Sequence, residues 1–91
     1  MSDDWDEVGF VISSTYRINA LQRLADSPAP PSKISEDTGC AASHISRALN
    51  DLRDRGLVDL LVPESRKKGR IYGITDRGRE VWEIIEAQNL L

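Results

Sequence analysis

The sequence predicts a mainly α domain of the α+β class, with a three-helix core, a β-hairpin and a C-terminal helix. Three observations lead to this prediction: apolar residues recur at helical spacing up to Gly56, two short β-prone runs follow, and helical spacing returns after Thr75. The 91 residues, 40% of them hydrophobic and 30% charged, suffice for one modest core and are too few for two domains. We therefore expect a single domain over residues 1–91.

The first core helix is predicted over residues 14–25, where Ile18, Leu21 and Leu24 recur every three positions. Residues 1–13 form an N-terminal extension. It is predicted to contain an extra helical turn that Asp3 or Asp4 caps and that ends near Ser13. The apolar cluster on which this turn is predicted consists of Trp5, Val8, Phe10, Val11 and Ile12.

A short second helix is predicted after the connector SPAPP at residues 27–31. This connector cannot continue a helix, because proline lacks the amide donor and disfavours helical geometry in the residue before it. Pro31 suits the first turn of a new helix, which runs to Thr38 and ends at Gly39, since glycine accepts the left-handed conformation. Cys40 and Ala41 then form a tight turn.

The third helix, over residues 43–55, has the clearest pattern. Its inward face is formed by Ile45, Ala48, Leu49 and Leu52, and Gly56 provides the end. Alanine at position 41 is a poor cap, at a cost of ~1 kcal/mol. We expect Ser43 to cap the helix instead, which would start it about two residues later and partly occupy the Ser43 hydroxyl.

A hairpin with a basic tip and a last helix complete the chain. Residues 57–62 and 70–74 are β-prone, and the intervening PESRKKG has the composition of a loop. Thr75 is a good helix cap and Asp76 favours the positive end of the helix dipole. The last helix, over residues 76–91, has a broad apolar surface formed by Val81, Trp82, Ile84 and Ile85.

Helix, short helix, turn, helix and basic hairpin, in that order, make up the winged helix-turn-helix arrangement. Here the chain resembles the MarR/ArsR-like transcription regulators of archaea and bacteria. The segments that carry the resemblance are SSTYR at 13–17, PSKISEDTG at 31–39, SHISRAL at 43–49, Leu52 with GLV at 56–58, and GRIYGITDRG at 69–78. The resemblance implies a regulator that binds double-stranded DNA in the cytoplasm, with the third helix docked through its N-terminal half.

Positive charge is concentrated in the middle of the chain, although the net charge is −3. Residues 1–42 carry three basic and seven acidic side chains, residues 43–70 carry seven and four, and residues 71–91 carry two and four. Lysine and arginine supply much of the affinity for DNA by neutralising phosphates. Only the middle segment therefore suits a nucleic acid.

The outward face of the third helix presents side chains that read bases. Successive residues of a helix are rotated by about 100°, so the side chains opposite the four apolar residues point outward. Five candidate contact residues lie on this outward side or at its edge: Ser43, His44, Ser46, Arg47 and Asn50. Arginine pairs well with guanine and asparagine with adenine in the major groove. Asp51 and Asp54 would repel phosphates, so the N-terminal half of the helix is predicted to enter the groove.

The hairpin tip and the first two helices offer further DNA contacts. The predicted wing contacts, to the DNA backbone or the adjacent minor groove, are Arg66, Lys67, Lys68 and Arg70. Arg17, Ser32 and Lys33 are weaker candidates for contacts with the DNA backbone. A charged run is more often only a solvated loop, and any amphipathic surface helix has a polar face, so the fold context carries this prediction.

A homodimer is predicted because a palindromic DNA site needs a protein with two-fold symmetry. The large apolar groups near the two chain ends supply the candidate interface: Trp5, Val8, Phe10, Trp82 and Ile85. Ordinary core packing is the alternative for each of them.

Several other classes of function are disfavoured. One cysteine and one histidine, Cys40 and His44, form no cluster at metal-site spacing, so no metal or cofactor is expected. No glycine-rich phosphate loop or nucleophile pair points to an enzyme. No apolar run is long enough to cross a membrane and the start is acidic, so an intracellular protein is expected. A winged helix that binds another protein instead of DNA remains the main alternative.

Overall fold

The computed structural model describes residues 4–62 and 69–90. The elements run in the order α1 (Asp4–Ile12), α2 (Thr15–Asp26), α3 (Pro31–Thr38), α4 (Ala42–Asp54), β1 (Val58–Leu60), β2 (Tyr72–Ile74) and α5 (Asp76–Ala87). This confirms the predicted mainly helical class and the order of its elements.

Helices α2, α3 and α4 pack against one another, and α5 packs against α1, α2 and β2. Their apolar faces form one core in which the largest fully buried side chains include Leu21, Leu24, Ile34, Ile45, Leu49, Leu52, Leu57 and Ile85. Five of them, Leu21, Leu24, Ile45, Leu49 and Leu52, are residues that helical spacing predicted to share an apolar face.

Helix α1 is longer than the single turn that was predicted. Asp4, Asp6 and Glu7 place negative charge in its first turn, where the helix dipole favours it. The helix ends close to the predicted position, where Ser13 N–H donates to Gly9 O at 3.1 Å. Helix α2 begins as predicted, because the Ser14 hydroxyl accepts from the Arg17 amide at 3.3 Å.

The expectation that Ser43 caps α4 is wrong. The N-cap is Ala41, without a side-chain hydrogen bond, and Ser43 lies inside the first turn. The preceding turn already fixes the helix start, because Ile45 N–H donates to Ala41 O at 3.0 Å. The Ser43 hydroxyl is therefore not occupied by capping.

The two strands are shorter than predicted. They pair antiparallel, with Val58 opposite Ile74 and Leu60 opposite Tyr72, and Ala29 pairs with the other edge of Tyr72. Leu57 is not part of β1, because its N–H completes the end of α4 by donating to Leu52 O at 3.0 Å. The hairpin thus leaves α4 directly after Gly56, which has φ 74°.

Thr75 joins the hairpin to α5. Its hydroxyl accepts from the Gly78 amide at 3.0 Å, as predicted for a cap, and donates to Gly56 O at 2.7 Å. Its own N–H donates to Leu57 O at 3.1 Å. One residue therefore ties the last helix to the end of α4.

Candidate nucleic-acid interface

A network of short hydrogen bonds holds the turn between α3 and α4. Ser35 Oγ donates to Cys40 O at 2.5 Å, and Thr38 Oγ1 donates to Ile34 O at 2.7 Å while accepting from the Cys40 amide at 3.3 Å. Gly39 ends α3 with φ 76°. The angle between the two helices is consequently set by local bonds as well as by core packing.

Helix α4 has one fully buried face and one exposed face. Ile45, Ala48, Leu49 and Leu52 are at most 2% exposed. The opposite face is exposed and consists of Ser43, His44, Ser46, Arg47 and Asn50 in the first three turns. The five predicted contact residues therefore share one accessible surface, which we call the α4 surface.

Arg47 and Asn50 are the two members of this surface with the greatest capacity for base contacts. Neither makes an ion pair or side-chain hydrogen bond within residues 4–62 and 69–90. Farther along the helix, Asp51 is half-buried and Asp54 is exposed. The exposed face of α4 thus carries no carboxylate before Asp51.

His44 lies against an aromatic ring from another helix. Its imidazole stacks on Tyr16 of α2, with ring centroids 4.2 Å apart and planes 4° apart. Both residues are exposed, Tyr16 to 38%. Tyr16 was not among the predicted site residues, because helical spacing shows which residues share a face but not which helices meet side by side.

Lys33 and Ser32 are exposed in the first turn of α3. The Lys33 ammonium lies 3.3 Å from Asp37 Oδ1 and 3.6 Å from Glu36 Oε1. Its hydrogen bond to Asp37 raises the pKa of Lys33 above the ordinary value. A phosphate would compete with these two carboxylates for the ammonium.

Arg17 is directed toward α1 rather than along the α4 surface. Its guanidinium lies 4.0 Å from the Phe10 ring centroid, and Arg55 lies 4.2 Å from the same centroid. Arg55 is also paired with Glu7 at 2.8 Å. Arg17 Nη2 donates to Ser13 Oγ at 3.3 Å, and Arg17 Nε is buried without a hydrogen-bond partner. We call this stack the Phe10 sandwich.

Of the four predicted wing residues, Arg66, Lys67 and Lys68 lie outside the described residues. Arg70 is exposed, directly after Gly69, which has φ 69°. It precedes β2, whose position is fixed by pairing on both edges.

The predicted dimer interface is wrong for three of its five residues. Val8, Trp82 and Ile85 are 1%, 4% and 0% exposed. The broad apolar surface of α5 is covered by the core and by α1, which packs against it. They have no surface left for a partner. Trp5 is 58% exposed, and Phe10 is partly buried in the sandwich described above.

None of the histidines, cysteines and carboxylates described forms a group of three able to hold a metal ion. No described helix is long and apolar enough to cross a membrane.

Comparison with known proteins identifies both a family and a fold. Residues 5–89 match the family model described as the HVO_A0261 N-terminal domain. No curated protein sequence matches the chain.

Solved structures of winged-helix regulators superpose on the chain. The homodimeric winged helix-turn-helix DNA-binding domain of Mb0332 from Mycobacterium bovis, a possible ArsR-family regulator, has a TM-score of 0.68 at 22% identity over 97% of this chain and 82% of that one. The transcriptional regulator BldR from Sulfolobus solfataricus has a TM-score of 0.72 at 23% identity over 93% and 63%. The MarR family regulator NMB1585 from Neisseria meningitidis has a TM-score of 0.73 at 15% identity over 98% and 74%.

The fold is therefore that of the MarR/ArsR-type winged-helix regulators, as the sequence predicted. The chain spans about half the length of two other matched structures, 51% of ZitR from Lactococcus lactis and 52% of the MarR family regulator SP03579.

Proposed function

The chain belongs to the HVO_A0261 N-terminal domain family and has the winged-helix fold, and from this premise we propose that it is a non-enzymatic transcription regulator that binds double-stranded DNA sequence-specifically. The observation that carries the proposal is the α4 surface, where Ser43, Ser46, Arg47 and Asn50 are exposed on one side of a helix whose other side is buried. In the proposed complex the N-terminal half of α4, as far as Asn50, enters the major groove.

Charge supports this choice of surface over the groove between α1 and α5. The groove between α1 and α5 is lined by Asp4, Glu80 and Glu83 beside Ile84, Ala87 and Gln88. Its carboxylates would repel phosphates. We propose that the wing residues Arg66, Lys67, Lys68 and Arg70 add contacts to the DNA backbone or minor groove on the α4 side.

We also propose that the chain acts as a homodimer, since a two-fold DNA site needs two recognition helices. Support comes from the exposed apolar residues of α1, Trp5 at 58% and Ile12 at 37%, with Gly9 between them and open space beside its Cα. The similar domain of Mb0332 is homodimeric. A monomer mass in sedimentation equilibrium at micromolar concentration would overturn this part, and Trp5→Ser is expected to shift a dimer toward monomer.

The DNA proposal is tested by selecting bound sequences from random duplexes at several salt concentrations and then measuring affinity by fluorescence anisotropy. Arg47→Ala and Asn50→Ala are each expected to lose about 5- to 150-fold for the selected site, with relaxed preference at one base position. The matched control is Arg79→Ala, which removes an exposed arginine of α5 that donates to Ala25 O at 3.4 Å.

A variant in which Arg47, Lys67 and Lys68 are all neutralised separates the two candidate classes of function. Loss of DNA binding supports the proposal. If this variant keeps the regulatory activity of the wild-type chain, a winged helix that contacts another protein is favoured instead.

A further inference from the structure

We propose that Tyr16 is a positioning residue that holds the His44 imidazole for contact with a DNA phosphate at the edge of the groove. This inference rests on the proposed function and adds a contact residue from α2. Its basis is the parallel stack of two exposed rings from different helices, at 4.2 Å and 4°.

The stack is unusual because exposed side chains normally keep their rotamer freedom. His44 lies in the first turn of α4, and none of the described residues forms a hydrogen bond with its imidazole. The contact that orders this side chain is therefore the stack with the Tyr16 ring. A side chain that is already ordered loses less conformational entropy when it binds a ligand. Stacking fixes the plane of the imidazole and leaves its nitrogens at the ring edge, where they can donate a hydrogen bond.

The position of His44 on the helix favours a contact with a phosphate over a contact with a base. At about 100° per residue, His44 is rotated by roughly 90° from the centre of the exposed face formed by Ser43, Arg47 and Asn50. A helix lying in the major groove directs that centre at the base edges, and it directs its flanks at the walls, which are sugar and phosphate. His44 is on the flank that faces α2.

The neighbourhood of the pair is compatible with an anion. Asp51 is on the same flank but seven residues farther along α4, which is about two helical turns. Arg47 is less than one turn from His44 and has no carboxylate partner among the described residues. The phosphate is therefore expected beside the first turn of α4.

The test measures affinity for the selected duplex and for a scrambled duplex over a series of salt concentrations. Tyr16→Leu removes the ring stack and is expected to weaken binding to both duplexes by the same factor, roughly tenfold. His44→Ala should have the same effect, and the double variant should be no weaker than either single variant. Tyr16→Phe keeps the stack and should retain affinity within about twofold.

A spectroscopic readout separates positioning from general stability. In the free protein, the His44 ring protons should show ring-current shifts that Tyr16→Phe retains and Tyr16→Leu removes. Thr15→Ala, at the exposed neighbouring position in the same helical turn, is the control and should change neither the shifts nor the affinity.

Several outcomes would overturn the inference. These are additive effects of the two substitutions, equal loss in Tyr16→Phe and Tyr16→Leu, or a change confined to one base position. If the wild-type chain binds no duplex, the proposed function itself fails. If it binds DNA and Tyr16→Leu binds equally well, only this inference fails.

Discussion

Two glycines inside helices are expected to respond to alanine with opposite signs. Gly78 lies in the first turn of α5, and a Cβ built there would be 2.0 Å from Leu57 O. Gly9 lies within α1, and a Cβ there meets nothing within 4 Å. In both helices alanine has a helix propensity about 1 kcal/mol more favourable than that of glycine. The difference between the two variants in free energy of unfolding therefore reports the steric effect of the added methyl group.

The cost of Gly78→Ala in stability follows from the position and the hydrogen bond of Leu57 O. A carbon and an oxygen need more than 3 Å, so α5 must move by about 1 Å, an overpacking that costs about 3 kcal/mol. The carbonyl cannot simply move away, because it accepts the Thr75 amide at 3.1 Å, a bond worth about 1 kcal/mol. Moving α5 also moves its cap residue Thr75 and so strains this hydrogen bond. Adding about 1 kcal/mol for the bond and subtracting about 1 kcal/mol of propensity gain leaves an expected net loss of about 3 kcal/mol.

Urea unfolding and thermal unfolding, both followed by circular dichroism, measure both variants. Gly78→Ala should stay folded at 25 °C, since a domain of this size has roughly 5–14 kcal/mol of stability, but with Tm lowered by about 12 °C or more. Gly9→Ala should gain about 0.5–1 kcal/mol, measured at two protein concentrations to separate folding from association. A stabilised Gly78→Ala, or the same sign in both variants, would refute the reasoning.

Three further substitutions test separate contacts. Thr75→Ala removes both hydroxyl hydrogen bonds of that residue and should cost about 1–2 kcal/mol in urea unfolding, which Thr75→Ser restores. The hydrogen bond from Arg23 lowers the pKa of Asp37, so its stabilisation is present above the unfolded value of about 4 and is lost as pH falls through the lower folded value. Asp37→Asn should therefore differ in stability from wild type above pH ~5 and converge with it in stronger acid. Phe10→Leu keeps an apolar side chain but removes the ring between two guanidinium groups, and should cost about 1–2 kcal/mol.

Each of these expectations has a result that contradicts it. Equal stability of the alanine and serine variants at position 75 would remove the capping argument. A constant difference between wild type and Asp37→Asn down to pH 2 would show that the carboxylate charge is not involved. If Phe10→Leu is as stable as wild type, the two cation–π contacts make no net contribution to the stability of the fold.

The sequence predicted the helices because apolar spacing and end signals are local. Ser14, Gly39, Gly56 and Thr75 occupy the caps and turns for which their chemistry suits them. Ser43 failed as a predicted cap because hydrogen bonds in the preceding turn already fix the start of α4. A cap prediction from residue type alone does not include such tertiary or turn restraints.

The candidate site was less accessible to prediction wherever two helices meet. The outward face of α4 follows from its own periodicity, whereas the Tyr16–His44 stack depends on how α2 crosses α4. Trp82 was assigned to a partner because its helix is broadly apolar, but α1 covers that breadth. Arg17 shows the same limit, since its charge suggested phosphate and its place beside Phe10 decides its contact.

The Phe10 sandwich links the N-terminal helix to the C-terminal end of α4 by direct contacts. Phe10 belongs to α1, and the cations on its two faces come from the start of α2 and from Arg55, which directly follows α4. Glu7 of α1 holds the same arginine by an ion pair. Any force that tilts α1 while these contacts persist is transmitted to the C-terminal end of α4, so the position of α1 and the orientation of the α4 surface are coupled.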